Sequence, residues 1–257
     1  MTSGASASRP AWRGRIHRLD VVDSTNSWLR AAAIQGAEPW TAVIAGEQTA
    51  GRGRRGRAWS SPPGGLYLSV LLEPGSTAGR GVVPLLAGVA LAQALEVWGV
   101  PARLKWPNDV RVAGRKVGGI LVESVPMRES LVVGMGVNVN SPVTALSEGA
   151  AQAASLAELV GRELAIDEVA LEVLTRLGLC YDLLITSGPE KVVAEWRRHA
   201  EQWWGRLIGV TEGREQTRLR LVDVTSSGAL LVEARDGTRR ELYSGDVHDL
   251  GLSEETR

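Results

Sequence analysis

Gly51-Arg52-Gly53-Arg54-Arg55-Gly56-Arg57 runs on into Ala58-Trp59-Ser60-Ser61-Pro62-Pro63-Gly64-Gly65. Four arginines and three glycines in seven positions are too charged and too flexible for a core, so the segment is a surface loop. Apolar, strand-like runs bracket it, Thr41 to Ala45 before and Leu66 to Leu72 after, and these anchor both ends in a sheet. A mobile cationic loop on a rigid base suits an anionic ligand; taken alone, it could equally be a solvated arginine-rich turn.

Two common phosphate-binding motifs are excluded. Gly51, Gly53 and Gly56 satisfy G-x-G-x-x-G, and Glu73 stands near the offset of a ribose-binding acid. A dinucleotide site, however, needs a helix opening at the third glycine, and Ser61-Pro62-Pro63-Gly64-Gly65 forbids one. No Gly-Lys-Ser/Thr follows, which removes a Walker A loop as well.

At 257 residues the chain has room for one large domain, or for one domain with a small companion. With 44% hydrophobic and 23% charged residues it reads as a soluble globule with a real core. The 29 basic and 29 acidic residues cancel, so the arginine loop is a local concentration of charge, unlike the broadly basic surface of nucleic-acid binders. A lone cysteine, Cys180, permits no internal disulfide and lies in the apolar run Leu177 to Tyr181, where a buried structural thiol is expected. His17, His199 and His248 show no ligand spacing, which argues against zinc. Met1 to Arg15 is rich in Ser, Ala and Arg, and no run reaches the roughly 18 apolar residues of a membrane span, so a disordered tail on a cytoplasmic protein is expected. Of the 29 basic residues only Lys105, Lys116 and Lys191 are lysines, and the first two fall close together, as if a compact ammonium were wanted there.

Along the chain, Ile16 to Val22 reads as a first strand, and Asp23 or Ser24 caps a helix that runs to Gln35 and stops at Gly36. Ser24-Thr25-Asn26 can be a cap and nothing more, or can also turn spare hydroxyl and amide groups toward a ligand. Val83 to Trp98, with Gly99 as a stop, predicts a buried helix. Ala102 to Trp106 extends into a turn at Pro107-Asn108-Asp109, and Val110 to Val112 and Lys116 to Glu123 form a hairpin. Gly118-Gly119 inside that strand marks either a bulge or close approach to the backbone, or a strained turn with no ligand. Leu131 to Asn140 is a core strand with glycines at alternate positions, and helices follow over Ala154 to Val160, Ile166 to Leu184 and Pro189 to His199. From Gly205, short strands over Leu207 to Val210, Thr217 to Val222, Gly228 to Val232 and Arg239 to Tyr243 predict a small β-barrel.

Read together, these segments resemble biotin protein ligases over nearly the whole chain after the tail. The resemblance rests on Asp23-Ser24-Thr25-Asn26, on Glu47-Gln48-Thr49-Ala50 with the arginine loop through Trp59, and on Lys105-Trp106-Pro107-Asn108-Asp109. Arg115-Lys116-Val117-Gly118-Gly119-Ile120-Leu121-Val122-Glu123 and Gly134-Met135-Gly136-Val137-Asn138 complete it, all five in family order. It implies an α+β fold: a mixed-sheet catalytic domain akin to class II aminoacyl-tRNA synthetases over 16–204, and an SH3-like barrel over 205–257. Residues 1–15 are too short for the winged helix with which some members repress transcription, so neither DNA nor a membrane is an expected partner. The implied chemistry is activation of biotin by ATP and transfer to a lysine of a biotin carboxyl carrier domain, with Mg²⁺ as cofactor, by a monomer or weak homodimer.

The same resemblance implies roles for residues. Arg52, Arg54 and Lys116 serve catalysis on the carboxylate and phosphate, and Asp109 serves as a direct or water-mediated Mg²⁺ ligand. Ser24, Thr25, Asn26, Gln48, Gly51, Gly53, Gly118 and Gly119 join Arg52, Arg54 and Lys116 around biotin. Arg54, Arg55, Arg57, Trp59, Lys116 and Asn138 take ATP, with Trp59 stacked on adenine and Asn138 reading its edge. Two rivals stand against this: a lipoate or octanoate attachment enzyme, which the full arginine loop and the barrel disfavour, and an arginine-loop nucleic-acid binder, which the zero net charge disfavours.

Overall fold

The computed structural model describes residues 12, 14–146, 152–201, 203–212 and 215–250. Along the chain come β1 (Ile16–Val22), α1 (Thr25–Ile34), β2 (Ala42–Gln48), β3 (Leu66–Leu72), α2 (Thr77–Glu96) and the short β4 (Arg103–Lys105). Then follow β5 (Asp109–Val112), β6 (Arg115–Ser124) and β7 (Leu131–Val137). Among the described residues these seven strands form a mixed sheet in the order β1-β2-β3-β7-β6-β5-β4, in which β1 and β2 run parallel and the other neighbours antiparallel.

The alternation of β7 makes the sheet two-faced. Successive side chains of a strand point to opposite faces, so Leu131, Val133, Met135 and Val137 enter the main core, whereas Val132 joins a smaller core under α1 with Leu29, Ala33, Val43, Leu71 and Val125. Gly134 and Gly136 continue the Val132 face without filling it, and that unfilled stretch becomes the floor of a cleft.

The other face is roofed by α2, which packs in turn on α4 (Ile166–Ser187) and α5 (Pro189–His199), reached through the short α3 (Leu156–Val160). Helix α2 begins well before the expected Val83, because Ser76 Oγ accepts from Gly79 N at 3.0 Å and caps it; Pro84 is carried inside. Contrary to expectation, Gly79–Trp98 does have the length and composition of a membrane span, yet most of its apolar window is buried here and it serves as the core helix. Trp12 packs edge-on against Trp40, 5.5 Å between ring centres, and Arg15 O accepts from Ala42 N; positions 1–11 lie outside the described residues.

After α5 come β8 (Leu207–Glu212), β9 (Glu215–Val224), β10 (Leu230–Glu233), β11 (Arg239–Leu242) and β12 (Asp246–Asp249), an antiparallel sheet in the order β11-β10-β9-β8-β12. Strand β12 has no signature in the sequence: Asp-Val-His-Asp carries a single apolar residue, Val247, which is buried. This small domain packs on the first through α2, where a side chain on Gly81 would collide with Ser227 O, and through Trp106, whose Nε1 donates to Gly228 O at 3.0 Å.

Candidate functional site

One end of the cleft is neutral and polar. Helix α1 starts beside the floor of the sheet, and Ser24 occupies its cap position without making a side-chain cap bond. The buried Asn26 donates through Nδ2 to Glu123 Oε2 at 2.7 Å and to Leu121 O at 3.2 Å, and its Oδ1 lies 2.7 Å from Ser69 Oγ. Ser69 Oγ is also 2.8 Å from Thr25 Oγ1, and Thr25 donates from its backbone and hydroxyl to Gln48 Oε1 at 2.9 and 3.1 Å. Gln48 Nε2 in turn donates to Ser61 Oγ at 2.8 Å. A buried polar network of this kind is stable only when its members are satisfied, and it then holds one geometry. The Asn26 carboxamide rests directly on Gly134, where an added Cβ would stand 2.9 Å from its Cγ.

The other end is cationic. Trp59 lies over Gly136 and Gly119: a Cβ on Gly136 would come within 2.6 Å of its Nε1, and one on Gly119 within 3.3 Å of its Cζ3. Because Gly134 and Gly136 are two residues apart on one strand, the two ends are separated by about 7 Å. Lys116 Nζ stands 5.1 Å from the Trp59 ring centre, within cation–π reach, and 2.7 Å from Asp109 Oδ1. Asp109 is the register partner of Lys105 on β4 and of Gly119 on β6. Burial holds the Lys105 ammonium below the usual lysine range, and burial together with the neighbouring Arg55 charge does the same for Arg54. A cleft of about 310 Å³ joins the two ends, within the range of small-molecule sites.

The structure brings Ser24, Thr25, Asn26, Gln48, Arg52, Gly53, Arg54, Arg57, Trp59, Asp109, Lys116, Gly119 and Asn138 to the wall of this cleft. Three expected residues are not on it. Gly118 points to the opposite face, where a Cβ would meet Gly136 O and Leu91 Cδ2 at 3.0 Å, as the period-two alternation with Gly119 requires. Gly51 is needed for close packing behind the wall: a Cβ there would meet Ser61 Oγ, Trp59 O and, at 3.1 Å, Gln48 Nε2. Arg55 turns to the C-terminal domain, donating to Thr211 O at 2.8 Å. Arg57, though on the wall, is paired with Asp246 at 2.8 Å, and Arg52 with Glu123 at 2.9 Å. The loop therefore rests on carboxylates and carbonyls of the sheet and the C-terminal domain. Asn138 gives its amide nitrogen to Ala154 O at 3.1 Å and Lys116 O at 3.4 Å, which removes that nitrogen as a donor to a base.

Lys105, Arg111, Ser69, Glu123, Gly134 and Gly136 shape the site without having been assigned to it. Ser69 had a signal, as the one small polar residue inside an apolar strand, and Lys105 had another in the scarcity of lysine. Cys180 is the buried structural thiol expected, its pKa pushed up to about 12 chiefly by burial. Among the described residues no group of three metal-ligating side chains stands together.

Residues 19–140 match the biotin/lipoate A/B protein ligase family. The chain is 30% identical over 241 residues to the bifunctional ligase/repressor BirA of Bacillus subtilis, covering 89% of this chain and 72% of that protein. It is 43% identical over 126 residues to the biotin–[acetyl-CoA-carboxylase] ligase of Paracoccus denitrificans, covering 46% and 52%. The structure of the biotin protein ligase from Aquifex aeolicus in complex with biotin and ATP superposes with a TM-score of 0.77 at 30% identity, covering 91% of this chain and 97% of that one.

Proposed function

Because the chain belongs to the biotin protein ligase branch of the biotin/lipoate A/B protein ligase family, we propose that it activates biotin with ATP and transfers the biotinyl group to a lysine of a biotin carboxyl carrier domain. The observation that carries this reading is the two-ended cleft: a neutral hydrogen-bonding pocket and a cluster of cations lie on one floor, about 7 Å apart. Biotin has the complementary form, a neutral ureido ring joined by an apolar chain to a carboxylate.

The carboxylate cannot form an amide while oxide is its leaving group. Attack of a carboxylate oxygen on the α-phosphorus of ATP forms the acyl-phosphate bond and breaks the bond to pyrophosphate, which departs. The neutral amine of the carrier lysine then attacks the carbonyl carbon, AMP leaves, and the amine proton passes to solvent. Both attacking groups belong to substrates, so the enzyme needs no nucleophile of its own. Its work is positioning and charge compensation.

Ser24, Thr25, Asn26 and Gln48 bond the ureido ring, and Gly119 and Gly53 let the ligand approach the backbone. Arg54 and Lys116 hold the carboxylate against the α-phosphate, Lys116 acting as a point charge where negative charge collects. Arg52 closes over the ligand by exchanging Glu123 for it. Trp59 offers its ring to adenine beside Arg57 and Asn138. A magnesium ion would supply counter-charge for the triphosphate, and Asp109, the carboxylate on the cleft wall, is the residue that would hold it, with Lys116 Nζ, now 2.7 Å from its Oδ1, turning to the phosphates. The arginine loop shields the mixed anhydride from water until the carrier arrives. In this reading the protein acts in the cytoplasm as a monomer or weak homodimer, with the carrier domain as partner and neither DNA nor membrane.

Biotin-dependent exchange of labelled pyrophosphate into ATP, followed by labelling of a carrier-domain lysine, tests the proposal. Exchange supported by lipoate and not by biotin would overturn it.

A further inference from the structure

Arg111 and Glu201 meet where the two domains join. The segment after α5 lies along the outer strand of the sheet, Ala200 bridging Leu104 in parallel and Glu201 N donating to Leu104 O at 2.9 Å. From there Glu201 Oε1 reaches Arg111 Nη1 at 3.4 Å, with the two side chains only 14% and 21% exposed. The pairing is half made. Arg111 Nε and Glu201 Oε2 are both buried without a hydrogen-bond partner, although guanidinium and carboxylate readily close a two-bond fork.

Two further facts set the direction. Arg111 lines the main cleft beside Lys105, whereas Glu201 lines a small cavity behind Lys105. Arg111 is also the register partner of Lys116 on the neighbouring strand. Like charges set opposite each other across a sheet repel, and an anion between them relieves the repulsion.

We propose that Arg111 is a phosphate-binding residue, acting with Lys105 and Lys116 on the pyrophosphate end of the nucleotide, and that Glu201 is its resident counter-ion, displaced when polyphosphate arrives. This rests on the reading of the cleft as a nucleotide site, but its consequence does not need turnover. Without Glu201 the unliganded protein carries Arg111, a largely buried cation beside Lys105, with its ion-pair partner removed, so it is less stable and binds polyphosphate more tightly. A Glu201 that merely braced the domain junction would produce the first effect without the second.

The test is calorimetric titration of the full chain with inorganic pyrophosphate, alongside thermal unfolding. Glu201→Gln, which keeps the shape, lowers the melting temperature and tightens pyrophosphate binding about two- to fivefold, the scale of a partly exposed ion pair. Arg111→Met weakens binding several-fold. Glu190→Gln makes the same charge change at the far end of α5, about 15 Å away along the helix and beyond the screening length at physiological salt, and leaves binding unchanged. Unchanged or weaker binding by Glu201→Gln, unchanged binding by Arg111→Met, or no pyrophosphate binding by the parent protein would each overturn the proposal. Pyrophosphate binding without biotin-dependent exchange would instead sink the ligase reading and leave this subsite standing.

Discussion

Gly134→Ala places a methyl group under the Asn26 carboxamide, 2.9 Å from Cγ and 3.1 Å from Nδ2, with Oδ1 closer still. Carbon contacts settle at about 3.5–4.0 Å, so the carboxamide must retreat by about 1 Å. That movement takes the 2.7 Å contacts with Ser69 Oγ and Glu123 Oε2 to the edge of hydrogen bonding. Leaving buried polar groups unsatisfied costs about 1–3 kcal/mol each, so the substitution destabilises by about 2–4 kcal/mol. In a chain of this size 1 kcal/mol is about 2–4 °C of melting temperature, and the expected fall is about 5–15 °C. Calorimetric titration should show biotin affinity reduced more than tenfold, because the groups proposed to read the ring have moved. Gly178→Ala is the built-in contrast: Gly178 lies inside α4 with nothing within 4 Å of an added Cβ, so alanine there should stabilise by about 0.5–1 kcal/mol and leave biotin binding alone. A Gly134→Ala protein that melts within 1 °C of the parent and binds biotin equally well would refute the reasoning.

Lys116→Ala should slow adenylate formation by about 10²-fold or more while biotin binding changes little; equal losses in both would make the lysine structural. Arg52→Gly or Arg54→Gly should release biotinyl-AMP to label bystander lysines, and intact retention of the adenylate, followed by mass spectrometry of an added inert protein, would count against the loop as a shield. Alkaline stability carries a signature of two buried acids. Cys180 is raised from 9.0 and Tyr67 from 10.0, each to about 12 and chiefly by burial, so the folded protein keeps protons that the unfolded chain gives up. Their contribution is complete below about pH 9 and is lost as pH rises from about 9 toward 12. Denaturant midpoints measured across that window should fall for the parent protein and fall less steeply for Cys180→Ala.

Much of this architecture is legible in sequence because strand alternation and helix stops are local. Ile16–Val22, Leu66–Leu72 and Pro189–His199 coincide with the expected elements residue for residue. The failures are non-local. Helix α2 starts at Thr77 because a serine hydroxyl caps it, a bond that the run of glycines before Val83 conceals. Strand β12 depends on pairing with β8, and nothing within Asp246–Asp249 announces it. The glycines show the same divide. Doubling at Gly118-Gly119 signals close approach, but only register decides that Gly119 faces Trp59 and Gly118 faces α2. Gly134 and Gly136 look like weakness in a core strand until Asn26 and Trp59, from distant parts of the chain, are laid on them.

The arginine loop shows why composition overstates a cationic site. Counted along the chain, four guanidinium groups converge on one anion; in space, Arg52 is paired with Glu123, Arg57 with Asp246, and Arg55 bonds Thr211 O with Asp246 nearby. Among the described residues Arg54 has no carboxylate at ion-pair distance, and burial lowers its pKa. A cation that is desolvated without a counter-ion gains most from an arriving anion, because the cost of its burial is already met in the folded protein and the new attraction acts at low dielectric. Paired arginines gain less, since an exchange of partners cancels much of the Coulomb energy. In the unliganded protein the loop therefore divides its labour: Arg55 and Arg57 hold it to the C-terminal domain, Arg52 rests on Glu123 as the partner it would exchange for the ligand, and Arg54 alone has no carboxylate to give up. Arg54→Lys should then cost adenylate formation more than Arg55→Lys does, measured by pyrophosphate exchange, and the reverse order would show that the pairs seen in the unliganded protein dissolve once the nucleotide binds.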